Sequence, residues 1–112
     1  MGLETSKTID AVGTETESGT VVLTILDAWN WSHLDTHLRA LQAKLNTYLD
    51  FVASGQLLRE YPQAADKPTR IDILFRCDAP PEADVLLEEA RKVMEGLGLT
   101  LNCLVMRAPE PS

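Results

Sequence analysis

The residues that invite chemistry gather in one short stretch. Asp27, Trp29, Asn30, Trp31, His33 and His37 lie close together in the chain, and Asp78 follows a later strand-like segment. His33 and His37 are four residues apart, so a helix starting here puts them on one face. Such a pair holds Zn²⁺ or Ni²⁺ when a third ligand arrives, and Asp27 or Asp78 stands where it would supply one. The zincin pattern His-Glu-x-x-His is not met, because Leu34 occupies the Glu slot. The pair alone assigns no metal. Trp29 and Trp31 flank Asn30, and two indoles beside carboxylates suit stacking on a planar or cationic group. The alternative is that one or both plug the end of the core.

No residue is assigned a catalytic role, and no cofactor is implied. No Gly-rich phosphate loop follows a strand, and no Gly-x-Ser-x-Gly occurs. Asp27 or Asp78 as an acid or base would need a shifted pKa in a cleft. Cys77 and Cys103 are the only cysteines. Two thiols make no disulfide framework, and both are expected to pack in the core as small hydrophobes.

These residues must be positioned by a single domain, the size that 112 residues suit. A composition of 45% hydrophobic and 24% charged residues is that of a globular chain. Lys and Arg number 10 against 17 Asp and Glu, a formal charge of −7. Phosphate backbones and anionic membranes need clustered Lys and Arg, and the basic residues here are scattered. Nucleic acid and membrane are therefore excluded as partners, while a basic protein surface stays open. The first ten residues lack the apolar core of a signal peptide, so a cytoplasmic location is expected. Gly2 with Ser6 fits the myristoylation pattern, which recurs by chance.

The elements read in order as β-β-α-β-α-β. Thr8–Val12 alternates weakly and suggests an edge strand, and Gly13–Gly19 is a polar turn. Val21–Leu26 is β-branched and apolar. Ser32 is a candidate N-cap with Asp35 three residues on. Leu34, Leu38, Leu41, Leu45, Tyr48, Leu49 and Val52 then recur at helical steps, and Gly55 marks a stop. Gln56–Tyr61 adds at most a short helical turn. Arg70–Cys77 alternates as a strand. Pro80 and Pro81 with Glu82 signal a second helix, with Glu88 and Lys92 as an i,i+4 pair. Leu99–Met106 is the last strand, with Arg107 at its end. Residues 1–6 and 107–112 read as flexible tails.

Right-handed crossovers that step the same way give strand order 1-2-3-4 with both helices on one face. Order 1-2-4-3 would put one helix on each side. The strand patterning favours the first. Val21, Leu23, Ile25, Ile71, Ile73, Phe75, Leu99, Leu101, Cys103 and Val105 form an apolar set, whereas the alternate positions are mixed. The expectation is an α/β (α+β) two-layer sandwich with a four-stranded mixed sheet. Val22, Leu26, Leu74, Leu104 and Met106 then form an apolar patch on the open face, a candidate interface. The N-terminal lead or the loop from Pro62 to Thr69 would cover that patch in the competing arrangement.

The stretch Val21-Val22-Leu23-Thr24-Ile25, through Asn30-Trp31 and His37-Leu38 to Leu41-Gln42-Ala43-Lys44-Leu45-Asn46-Thr47-Tyr48-Leu49, resembles a family of small, acidic bacterial proteins of unknown function. Ser54-Gly55-Gln56-Leu57, Tyr61-Pro62, Lys7-Thr8-Ile9-Asp10 and Gly98-Leu99 extend the likeness over nearly the whole chain. The resemblance implies a bacterial cytosolic origin and carries no catalytic residues. The expected function is a non-enzymatic protein-interaction module, self-associating as a homodimer or receiving a protein partner. The alternative is a small-ligand or metal-binding protein built on the Trp/His/Asp cluster.

Overall fold

The structure, a computed structural model, describes Leu3 and residues 7–106. Gly2, Ser6 and Arg107, and with them most of both expected tails, lie outside the described residues. Strands β1 (Ala11–Thr14), β2 (Val21–Asp27), β3 (Thr69–Phe75) and β4 (Leu99–Val105) form one sheet in the order β1-β2-β3-β4. The β1–β2 pair is antiparallel, and β2–β3 and β3–β4 are parallel. Helix α1 (Leu34–Ala53) connects β2 to β3, followed by the short α2 (Gln56–Glu60) and a 3-10 turn at Pro62–Ala64. Helix α3 (Pro81–Gly96) connects β3 to β4.

The core is one-sided. Leu23, Ile25, Ile71, Ile73 and Phe75 of the sheet pack with Leu41, Leu45 and Tyr48 of α1 and with Leu87 and Met94 of α3. The alternate strand positions Val22, Leu26 and Leu74 are only half-buried. This is the expected arrangement, with both crossover helices over one face. Gly55 at φ 85° ends α1, and Gly98 at φ 74° turns the chain into β4, conformations that cost a side-chain-bearing residue more than glycine.

Several local expectations are corrected. The first strand runs Ala11–Thr14, not Thr8–Val12: the Asp10 N–H goes to the Tyr48 hydroxyl, and Gly13 and Thr14 still pair with Val22 and Val21. Leu3 is buried in the core, so the N-terminal lead is not wholly a tail. Cys77 lies past the end of β3, and both cysteines are half-buried instead of sealed in the core. Burial nonetheless pushes the Cys103 thiol up. Glu88 pairs with Arg91 at 2.7 Å, not with Lys92. On the helix side of β4 only Leu99 is buried; Leu101 and Cys103 are half-buried and Val105 is exposed.

The buried face of α1 is also not the purely apolar stripe. It consists of His37, Leu41, Lys44, Leu45, Tyr48 and Phe51, while Leu34, Leu38, Leu49 and Val52 are half-buried. Lys44 and Asp10 have fully buried side chains and form an ion pair at 2.8 Å. Asp10 Oδ2 also accepts the Leu26 N–H at 2.9 Å. The Tyr48 hydroxyl accepts the Asp10 N–H at 2.7 Å and donates to the Thr24 carbonyl. This network ties the segment before β1, strand β2 and the middle of α1 together.

Removing one partner of a buried ion pair leaves the other uncompensated. Lys44→Ala is therefore expected to lose about 3–5 kcal/mol in urea unfolding. The double variant Asp10→Asn/Lys44→Met should lose less than the two single losses combined, and strict additivity would contradict the pairing. Burial pushes the Tyr48 phenol well above the ordinary tyrosine value of 10.0. The folded state thus favours the neutral phenol. Its contribution is complete below the unfolded value and is lost as pH rises through and beyond it. Stability should fall more steeply above about pH 10 in the wild type than in Tyr48→Phe.

Candidate functional site

The carboxyl ends of β2 and β3 meet the amino end of α1, the edge where open α/β sheets gather ligands. The chain leaves β2 at Asp27 and reaches α1 through Ala28–His33. Asp27 is fully buried. Its Oδ1 accepts the Trp29 N–H at 3.2 Å, and its Oδ2 lies 2.5 Å from His37 Nε2. His37 is itself buried, with Nδ1 3.0 Å from the Asn30 carbonyl.

A carbonyl accepts and cannot donate, so His37 Nδ1 carries a proton. A second proton lies between Nε2 and the Asp27 carboxylate. Both ring nitrogens are thus committed within the protein. Trp31 stacks on the imidazole, with centroids 3.5 Å apart and planes inclined by 12°. Trp29 meets the same ring edge-on at 5.6 Å. The Trp31 indole N–H donates to the Cys77 carbonyl at 3.4 Å, a long bond that ties the loop to the chain after β3. The Arg76 N–H donates to the Asp27 carbonyl at 2.8 Å.

The structure therefore brings Asp27, Trp29, Asn30, Trp31 and His37 together as one packed loop. It does not bring the two histidines together as ligands. His33 is exposed at the N-cap of α1, while His37 is turned into the core, and no group of three or more metal-ligating side chains occurs among the described residues. Asp78 is exposed after β3, next in the chain to Cys77, whose carbonyl receives the Trp31 indole N–H. Ser32 does not cap α1. Its N–H and hydroxyl go to the Asn30 side-chain oxygen instead, an Asx-type turn.

Above the His37–Asp27 pair lies a cavity of about 540 Å³ lined by Trp29, Asn30, Ser32, His33, Thr36 and Arg76, with His37 at its inner wall. The sequence reading names Trp29, Asn30, His33 and His37 of this set and misses Ser32, Thr36 and Arg76. The strand alternation does place Arg76 one residue past Phe75, at the same edge as Asp27. The second buried network, Asp10 with Lys44 and Tyr48, was also missed. The available signal was Lys44 three residues after Leu41 and four before Tyr48, in step with the apolar stripe.

The candidate interface residues occupy the opposite, open face. Leu26, Leu74 and Leu104 are direct neighbours across three strands. The adjoining row is polar, with Thr24, Asp72 and Asn102 in register. There Arg70 bonds Asp72 at 2.7 Å and Glu15 at 2.6 Å. Val22, Leu26 and Leu74 are half-buried, while Leu104 and Met106 are 44% and 47% exposed.

Asp27→Ala removes the acceptor of both His37 Nε2 and the Trp29 N–H. It is expected to cost about 2–4 kcal/mol and to shift tryptophan emission to the red as the loop opens. Arg39→Ala, on the exposed face of α1, should change neither. Unaltered emission in Asp27→Ala would contradict the packed-loop description.

Among the described residues no helix is long and apolar enough to cross a membrane. No curated protein and no solved structure matches the chain. A family model described as a family of unknown function (DUF6572) matches residues 1–107. Spanning both the packed loop and the open sheet face, that match places the chain in the DUF6572 family.

Proposed function

We propose that the protein is a self-associating interaction module, not a catalyst, and that a second copy docks along the β4 margin of the open sheet face. The observation that carries this reading is that, among the described residues, no strand pairs with the outer edge of β4. The Met106 N–H donates to the Phe75 carbonyl at 2.7 Å, so Met106 faces β3. In a parallel ladder both backbone groups of a residue point to the same side and alternate along the strand. Asn102 and Leu104 then also face β3, and Leu101, Cys103 and Val105 turn their N–H and C=O outward.

Exposed edges of this kind are usually blunted by charge, proline or shortness. The other edge, β1, has four residues, whereas β4 has seven and no charged side chain among them. The apolar row Leu26–Leu74–Leu104 runs out to this edge, next to exposed Val105 and Met106. The centre of the open face suits a partner less well, because the Glu15–Arg70–Asp72 ion pairs would need desolvation.

A second copy is the occupant that this edge fits. A neutral strand set antiparallel to itself about a two-fold axis is self-complementary, and β4 lets two chains of formal charge −7 approach without placing charge at the contact. Sedimentation at micromolar concentration should show a dimer. Val105→Pro removes one outward N–H without touching the β3–β4 ladder, and Leu104→Asp puts charge on the margin. Both should give folded monomers with unchanged far-ultraviolet dichroism. A monomeric wild type, or dimers that persist in both variants, would overturn the proposal.

A further inference from the structure

We propose that the cavity over the His37–Asp27 pair is a binding site for a small oxyanion, a phosphate or carboxylate group carried by a small molecule. The first support is charge. The chain holds 17 acidic residues and 10 Lys and Arg, yet the cavity lining includes Arg76 and no Asp or Glu. Asp27, beside His37, is buried and engaged by His37 and by the Trp29 N–H, while Asp35 lies exposed in the first turn of α1 and outside the lining. The lining thus carries one formal positive charge, Arg76, in a chain of formal charge −7.

The second support is donor chemistry. Arg76 Nη1 donates to the Ala28 carbonyl at 3.4 Å, and the rest of its planar fork suits a carboxylate or phosphate. The Thr36 hydroxyl, the Asn30 amide and the His33 ring stand on the same lining. Helix α1 opens toward this lining with no side-chain cap on its N-terminus, which leaves first-turn N–H groups for a ligand or solvent. The third support is rigidity. His37 is held at both ring nitrogens and stacked under Trp31, so the cavity's inner wall is in place before a ligand arrives. His37 acts here as a positioning residue.

The test is a ¹H–¹⁵N NMR titration of the full chain at constant ionic strength. The probes are inorganic phosphate, sodium benzoate and tetramethylammonium chloride. Both tryptophans of the chain lie in the loop beside the cavity, so their indole signals report on it directly. Saturable shifts confined to Trp29, residues 32–36 and Arg76 are expected with at least one anion. Saturation by phosphate alone assigns a phosphoryl group. Saturation by benzoate alone assigns a carboxylate whose ring lies on Trp29. Arg76→Gln should weaken binding about tenfold or more, and Arg76→Lys should recover part of it by keeping the charge. Arg76 is exposed, so both variants should fold. No saturable shift from either anion, saturation by tetramethylammonium instead, or wild-type affinity in Arg76→Gln would overturn the proposal. Because Arg76 lies off β4, a failure here leaves the dimer reading untouched.

Discussion

Helix α1 is locked to the sheet by two buried polar anchors, and the rest of the architecture follows from that lock. His37 meets Asp27 at the end of β2, and Lys44 meets Asp10 just ahead of β1. Each anchor sets a cationic-type side chain of the helix against a carboxylate from the sheet layer. An apolar stripe alone tolerates rotation and sliding of a helix, because dispersion contacts are individually weak and non-directional. A buried ion pair with its hydrogen bonds does not, since any shift strands a charge away from water. The two anchors therefore fix the rotation and height of α1 together.

The fixed helix determines what remains exposed. Its amino end is drawn down onto Asp27, which folds Trp29–Ser32 into a packed bridge and leaves the cavity above it. Its length packs over β2. Helix α3 covers the start of β4 at Leu99 and not its end at Val105. The open face and the β4 edge are consequences of having two crossover helices for four strands, both on one side. This frame stays unfinished at two places, the carboxyl edge and the β4 margin, and the two proposals rest on them.

Much of the frame was legible in the sequence. The alternation of Ile71, Ile73 and Phe75 against Asp72 and Leu74 gave both the strand and its buried side, and the mixed character of the alternate set pointed to helices on one face only. What was not legible is physically specific. Apolar periodicity passes over a buried His or Lys, so the true core face of α1 is misread at His37 and Lys44, where compensation comes from Asp27 and Asp10 far off in sequence. The alternation within Leu99–Val105 shows which side faces the helices but not whether any helix reaches it. For the site, proximity in the chain identified the loop residues, whereas Arg76 joins them only through the parallel pairing of β2 with β3.

The most direct measurement of the central claim is the proton exchange of the anchoring groups, read by ¹⁵N-resolved NMR of the His37 ring and the Lys44 ammonium. Buried anchors predict a resolved and slowly exchanging Nδ1–H proton on His37, together with an observable Lys44 ammonium signal, while the exposed His33 ring exchanges rapidly. Ring and ammonium protons that exchange as fast as those of His33 would show that α1 is not held by buried pairs, and the account would fail.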